Sequence, residues 1–265
     1  RANLRYHFQY FEEVDTVKVR KCWWSHLLPS LVWIRLDLWI FQDRKIKKMV
    51  NHFMVCLPLA IILRCVVQIE ARQGIDVSQS ISTEIFSCLK QKDYDFAIVR
   101  AFRSIGEPDY NAPENIRNAR NASFDTVEVY MFPCPKCGNA QKQVNDMLSL
   151  NLDTDWIWLD IEINNWYENV TKNREFFHEL INADFGTYGI GIYTSKHNWS
   201  TLMGLDYTKG STFPLWYAHY DQQPSFDDFE PFAEWSEPQL KQFSGDQMVC
   251  GADVDLNYAE QSKIY

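Results

Sequence analysis

The sequence predicts an α/β fold, an irregular TIM-like barrel of about five βα units followed by three strands. Three observations carry this expectation. Between residues 74 and 203, short apolar runs alternate with amphipathic helical stretches, the pattern of a parallel sheet wrapped by helices. Beyond 203 three more apolar runs occur, joined by connections too short or too polar for regular helices. The third observation is the stretch Asp155-Trp-Ile-Trp-Leu-Asp-Ile-Glu-Ile-Asn-Asn165. Read with the period of a strand, it puts Ile157, Leu159, Ile161 and Ile163 on one face and Trp156, Trp158, Asp160, Glu162 and Asn164 on the other. A strand with helices outside and a lined interior fits that division; an exposed strand does not.

Taken in order, strands are expected over 74–79, 96–102, 127–132, 155–165 and 188–194. Helices are expected between and after them, over 82–92, 111–122, 141–150, 171–183 and 197–203. The run 171–183 spaces Phe176, Phe177, Leu180 and Ile181 for one helical face. Pro133 and Pro135 stop the third strand. Gly189 and Gly191 sit inside the fifth, where they allow close packing. The last three strands fall at 214–220, 240–243 and 254–258. No internal repeat or interdomain linker interrupts 74–265, which reads as one domain.

The preceding residues read differently. Residues 1–48 mix basic and aromatic residues without a stable period, and are expected to be an upstream extension foreign to the fold. Residues 49–73 follow the basic Lys45-Ile-Lys-Lys48 and carry an apolar run from Val55 to Val67, broken by Pro58 and Arg64, with Ala71 as a small residue near its end. Basic flank, short apolar core and small residue describe an imperfect signal peptide; an amphipathic helix on a membrane surface is the competing reading. The apolar run at 31–41 is too short to span a membrane. Residues 74–265 are therefore expected to be secreted and extracellular (gut lumen or a lysosome-like compartment), monomeric, and without stable membrane association once the leader is gone.

Charge divides with the same boundary. Residues 1–73 hold 12 Lys and Arg against 6 Asp and Glu; residues 74–265 hold 14 against 29, a net of −15. An acidic domain of this kind has no electrostatic attraction to nucleic acid or anionic membrane. Three Asn-X-Ser/Thr sequons, at Asn121, Asn169 and Asn198, agree with secretion. So does the even count of cysteines, Cys88, Cys134, Cys137 and Cys250. Four cysteines allow three connectivities. Cys134–Cys137 with Cys88–Cys250 is favoured, because the second pair would tie the first helix to the approach of the last strand. A redox pair or half a zinc site are the alternatives for Cys134-Pro-Lys-Cys137, although no matching Cys/His pair follows.

Residues at the C-terminal ends of barrel strands face the site. That rule gathers Asp76, Tyr130, Asp160, Glu162, Trp216 and Asp255 around one cavity. Acids ringed by aromatic side chains suit a neutral or acetylated sugar, whose ring faces stack while its hydroxyls hydrogen-bond. The competing explanation is core packing for Tyr130 and Trp216, and burial beside a structural partner for Asp76 and Asp255. His178, His197 and His219 are not at ligand spacing and no Gly-rich phosphate loop is present, so neither metal nor cofactor is expected.

Five motifs then occur in register: Gly74-Ile-Asp-Val-Ser-Gln79, Phe96-Ala-Ile-Val-Arg-Ala101, Trp158-Leu-Asp-Ile-Glu162, Leu215-Trp-Tyr-Ala-His219 and Val254-Asp-Leu-Asn257. In this order they resemble the family 25 glycoside hydrolases, the Chalaropsis-type muramidases, over essentially all of 74–258. Tyr130-Met-Phe-Pro-Cys-Pro-Lys-Cys137 is similar to a stretch of the invertebrate, nematode-like branch. The resemblance implies a lysozyme that hydrolyses the β-1,4 bond between N-acetylmuramic acid and N-acetylglucosamine in bacterial peptidoglycan. It implies Asp76, Asp160, Glu162 and Asp255 as the acidic catalytic positions, and Tyr130 and Trp216 as sugar-contacting aromatics. The Cys-Pro-Lys-Cys insertion and Gln242-Phe243, where the family more often has Gln-Tyr, depart from its pattern and bear on sugar preference.

In the expected mechanism Glu162 is the general acid/base, its pKa raised by Asp160 and Asp76, while Asp160 orients the 2-acetamido group for substrate-assisted attack. A chitinase-like hydrolase of acetylated sugars is the nearest alternative enzyme, and a catalytically silent sugar-binding barrel the alternative of another class. The adjacent carboxylates argue against the silent barrel.

Overall fold

The structure is a computed structural model that describes residues 71–260. The expected extension at 1–48, and the expected leader up to residue 70, lie outside the described residues. Nine strands form one sheet: β1 (Ala71–Val77), β2 (Tyr94–Arg103), β3 (Glu107–Pro108), β4 (Thr126–Met131), β5 (Trp156–Asp160), β6 (Gly189–Thr194), β7 (Leu215–Ala218), β8 (Leu240–Val249) and β9 (Ala252–Glu260). Neighbours pair in parallel from β1 through β2, β4, β5, β6 and β7 to β8. β9 then runs antiparallel to both β8 and β1 and closes an eight-stranded barrel, while the short β3 clips antiparallel onto the end of β2.

Five helices cover the outside: α1 (Thr83–Lys90), α2 (Ala112–Asn121), α3 (Ala140–Leu148), α4 (Val170–Ile181) and α5 (Lys196–Leu202). Their starts are legible in the residues. Ser82, Asn139, Asn169 and Ser195 each accept a hydrogen bond from a backbone N–H of the first turn, supplying a partner that the helix itself cannot. Phe86 and Leu89 of α1, and Phe176, Phe177 and Leu180 of α4, bury the apolar faces that the spacing predicts.

Two apolar layers result. The outer one lies between strands and helices and takes Ile157, Leu159 and Ile161 of β5 and its exit. The inner one fills the barrel with Phe96, Ile98, Trp158, Tyr193, Trp216, Leu240 and Ala259. Room for the tryptophans comes from glycine. Gly189 and Gly191 are the register partners of Trp156 and Trp158, and a Cβ on either would lie 2.1 to 2.3 Å from the facing indole.

Some boundaries differ from expectation. β1 begins at Ala71, three residues early, because Ala71, Arg72 and Gln73 pair with Glu260, Ala259 and Tyr258 of β9. β5 ends at Asp160 rather than 165. Ile161 is still held, donating its N–H to the Tyr193 carbonyl at 2.8 Å and accepting from Thr194 Oγ1 at 2.7 Å, but Ile163 is exposed and Asn165 turns with a positive φ of 57°. The aliphatic face therefore stops at Ile161. β8 runs on to Val249 and makes a hairpin with β9. Its two turn residues, Cys250 and Gly251, both take positive φ (54° and 81°), whose twist matches that of paired strands.

The disulfides pair as favoured, Cys88 with Cys250 and Cys134 with Cys137. The first ties α1 to the β8–β9 turn. Among the described residues no helix is long and apolar enough to cross a membrane.

Candidate active site

At the C-terminal end of the parallel strands lies a cavity of about 170 Å³ whose walls include Asp76, Tyr130, Asp160, Glu162, Trp216 and Asp255. All six residues expected at the strand ends are thus brought together. The strands explain how: Asp76 is the penultimate residue of β1, Tyr130 that of β4, and Asp160 the last of β5. Trp216 lies in β7 and Asp255 in β9. Glu162 stands just past β5, on the loop rather than in the strand, and is less buried than Asp160.

Trp216 forms the floor. It is 2 % exposed, meets Tyr193 edge-on with ring centroids 4.5 Å apart, and touches Trp158 at 5.8 Å and Tyr130 at 6.5 Å. Its indole N–H donates to Asn257 Oδ1 at 2.9 Å, and Asn257 Nδ2 donates to Asp76 Oδ2 at 2.8 Å. Asp76 and Asp255 are direct register partners across β1 and β9. Gln242 bridges them, its Nε2 donating to Asp76 Oδ2 at 2.8 Å and to Asp255 Oδ2 at 3.0 Å. Tyr193 and Tyr220 in turn donate to Gln242 Oε1 at 2.6 and 2.8 Å, which fixes the amide's orientation.

Burial and mutual repulsion raise the proton affinity of these acids. Burial, then the neighbouring Asp255, pushes Asp76 up to about 8 against the pull of its two amide donors. Burial, then Glu162, then Asp76, raises Asp160 well above the usual range. Glu162 is raised by burial first and then by Asp255. The repulsion that Glu162 exerts on Asp160 and on Asp76 is mutual, as expected, and burial and Asp255 add to it. Asp160 Oδ1 is buried with no hydrogen-bond partner among the described residues. A buried acceptor left open costs free energy, and Asp160 lines the cavity.

Sequence reasoning gave no site role to Asn257, Tyr193, Tyr220 or Arg100, and read Gln242 only as part of a departure from the family pattern that bears on sugar preference. Strand period carried a signal for several of them: Asn257 follows Asp255 by two, Tyr193 follows Gly191 by two, and Arg100 follows Ile98 by two. It also missed Glu128, which shares the inward face of β4 with Tyr130. Its carboxylate accepts from Trp158 Nε1 at 2.6 Å, and burial pushes it up to about 7.

A wider groove of about 590 Å³ adjoins the cavity at Glu162, Tyr193 and Tyr220, and runs between α5 and the β7–β8 connection. On its wall the fold brings His219 together with Asp221 and Asp228, their ligand atoms within 4.8 Å of one another, although sequence spacing gave His219 no such partners. A cation already serves these carboxylates. The buried Lys241 ammonium lies 2.7 Å from Asp221 Oδ2 and 2.6 Å from Asp228 Oδ1.

Residues 67–243 match the family described as Lysozyme-like protein 1. The chain is 46 % identical over 196 residues to probable GH family 25 lysozyme 2 of Dictyostelium discoideum, a match covering 72 % of this chain and 92 % of that one. It belongs to the family 25 lysozymes. Lysozyme-like protein 5 of Caenorhabditis elegans is 36 % identical over 217 residues, covering 78 % of this chain and 99 % of the relative. The lysozyme's barrel also matches the solved family 25 lysozyme of Aspergillus fumigatus with a TM-score of 0.61 at 20 % identity, over 72 % of this chain and 94 % of that one. The lysozyme is accordingly a glycoside hydrolase. What its cavity offers is a set of neighbouring carboxyl groups with raised proton affinity, one of them with an unoccupied acceptor, over an aromatic floor.

Proposed function

We propose that this lysozyme hydrolyses the β-1,4 bond between N-acetylmuramic acid and N-acetylglucosamine, with Glu162 as general acid and base and Asp160 assisting. The observation that carries the reading is the pairing of Asp160, buried with an open acceptor, with the less buried Glu162 in one cavity. Glu162 reaches the wider groove as well, so it stands where a leaving sugar would sit. It would protonate the glycosidic oxygen while the acetamido oxygen of the sugar in the cavity attacks the anomeric carbon. Asp160 Oδ1 would accept from the acetamido N–H. That bond favours the ionised form of Asp160 and leaves the shared proton on Glu162, where the first step needs it. In the second step the Glu162 carboxylate takes a proton from the attacking water.

The two disulfides support an oxidising, extracellular location, and the same reading takes the protein as a monomer acting on bacterial peptidoglycan. The test is release of muramic-acid reducing ends from purified peptidoglycan. Glu162→Gln is expected to lose about 10²-fold or more in turnover, the scale of acid–base catalysis, with binding retained. Near-normal turnover in that variant removes Glu162 from the role. Cleavage of chitin oligomers with peptidoglycan untouched selects the chitinase-like reading, and binding without cleavage of either selects a sugar-binding barrel.

A further inference from the structure

The cavity is lined by four carboxylic acids and, among the described residues, one cation. Arg100 projects from β2 and is anchored on two sides. Its Nε donates to Asp109 Oδ2 at 2.8 Å, and its Nη2 donates to the Ser78 carbonyl at 2.6 Å. Asp109 is itself fixed, its other oxygen accepting from the Asn111 N–H at 3.1 Å. These contacts hold the guanidinium rigid and use two of its five N–H groups. The rest, both those on Nη1 among them, have no partner among the described residues, and the side chain is 26 % exposed, so it can be reached from the cavity. A tie between β2 and the Asp109 turn needs only the first contact. A fixed guanidinium with spare donors in an otherwise acidic pocket has the form of a receptor for oxygen acceptors, carboxylates above all.

The acetylated sugars this site could take differ at one position. An N-acetylglucosamine ring carries a hydroxyl at C3, whereas muramic acid carries a lactyl ether ending in a carboxyl group. We propose that Arg100 is a specificity-determining residue that receives the lactyl oxygens, and that this lysozyme cuts best the glycan whose lactyl group is a free carboxylate. The inference rests on the muramidase reading above. Where a stem peptide is attached, the lactyl group is an amide and offers a neutral carbonyl, a weaker acceptor than a carboxylate. The preferred substrate is then the product of a reaction that hydrolyses the lactyl–peptide amide, which places amide cleavage before glycosidic cleavage.

The experiment compares peptide-free oligosaccharides of alternating N-acetylglucosamine and N-acetylmuramic acid with the same oligosaccharides after methyl esterification of the lactyl carboxylates. kcat/KM is measured for the unmodified chain, Arg100→Gln and Arg100→Lys. The unmodified chain is expected to favour the carboxylate form roughly tenfold or more, the scale of a hydrogen bond to a charged group. Arg100→Gln should reduce that preference to about twofold, and Arg100→Lys should keep part of it, since the charge remains and the fork is lost. Equal cleavage of both forms by the unmodified chain overturns the inference and leaves the muramidase reading standing, without recourse to either variant. A parallel loss on both substrates in Arg100→Gln overturns it too, since a structural role predicts that result. Failure of the unmodified chain to cut either form sinks the muramidase reading and the inference with it.

Discussion

Asp76 and Asp255 sit directly opposite each other on β1 and β9, an arrangement that destabilises a sheet when both carry charge. Gln242 makes it tolerable by donating to both through one nitrogen, and the two tyrosines on its oxygen stop the amide from turning over. Removing it leaves two hydroxyls without an acceptor and two acids without their shared donor. Gln242→Leu should therefore lower the unfolding free energy by about 3 kcal/mol, the scale of one or two buried polar groups left unsatisfied. The denaturant midpoint reads this, and an unchanged midpoint would mean that water replaces the amide without cost. Asp76, Tyr130 and Asp160 were legible because each lies at or next to the C-terminal end of its strand, with Glu162 just past β5, whereas Asp255 lies within β9 opposite Asp76. Gln242 was not legible in that way. Residues 240–244 of β8 are buried without a break, so a period of two has no polar face to contrast with an apolar one.

Lys241 makes the same point for an element. Alone in the sequence it reads as a solvated charge, yet it is fully buried, because the β7–β8 connection folds back and delivers Asp221 and Asp228 to its ammonium. Asp228 also accepts from Tyr217 at 2.7 Å and meets His219 Nδ1 at 2.5 Å, and these partners together hold it down to about 2. This cluster pins a long irregular connection that forms one wall of the groove beside Glu162. Lys241→Met is expected to cost about 3 kcal/mol, the low end for breaking a buried pair, since both acids keep some exposure. Differential scanning calorimetry should find the melting temperature lower by roughly 6–12 °C. Local pattern carried the helices, the two faces of β5 and the glycines opposite its tryptophans. It could not carry contacts made by a connection without period, nor the end of β5, which neighbouring strands set.

For the molecule as a whole, the raised acids give stability a direction with pH. Asp76 titrates at about 8 and Glu128 at about 7 in the folded chain, against ordinary values of 3.8 and 4.5, and Asp160, Glu162 and Asp255 are raised as well. The folded state then binds more protons than the unfolded one between those limits. Their contribution is complete below about pH 4 and is lost as pH rises through 7 to 8. Asp228, depressed from 3.8 to about 2, works the other way and withdraws stability only as pH falls through that range. Urea midpoints should therefore be higher at pH 5 than at pH 7, and higher at pH 7 than at pH 9. A midpoint that rises from 5 to 9 would contradict the burial that sets these shifts.

The antiparallel β9 has a consequence for the making of the protein. β1 leaves the ribosome among the first of the described strands and β9 last, yet β1 finds one of its two edges only in β9, and both Asp255 and Asn257 arrive with it. The barrel cannot close, and Asp255 cannot join the other acids, until β9 has been made. A chain that lacks β9 therefore lacks Asp255 and Asn257, and leaves Asp76 without the amide that Asn257 donates.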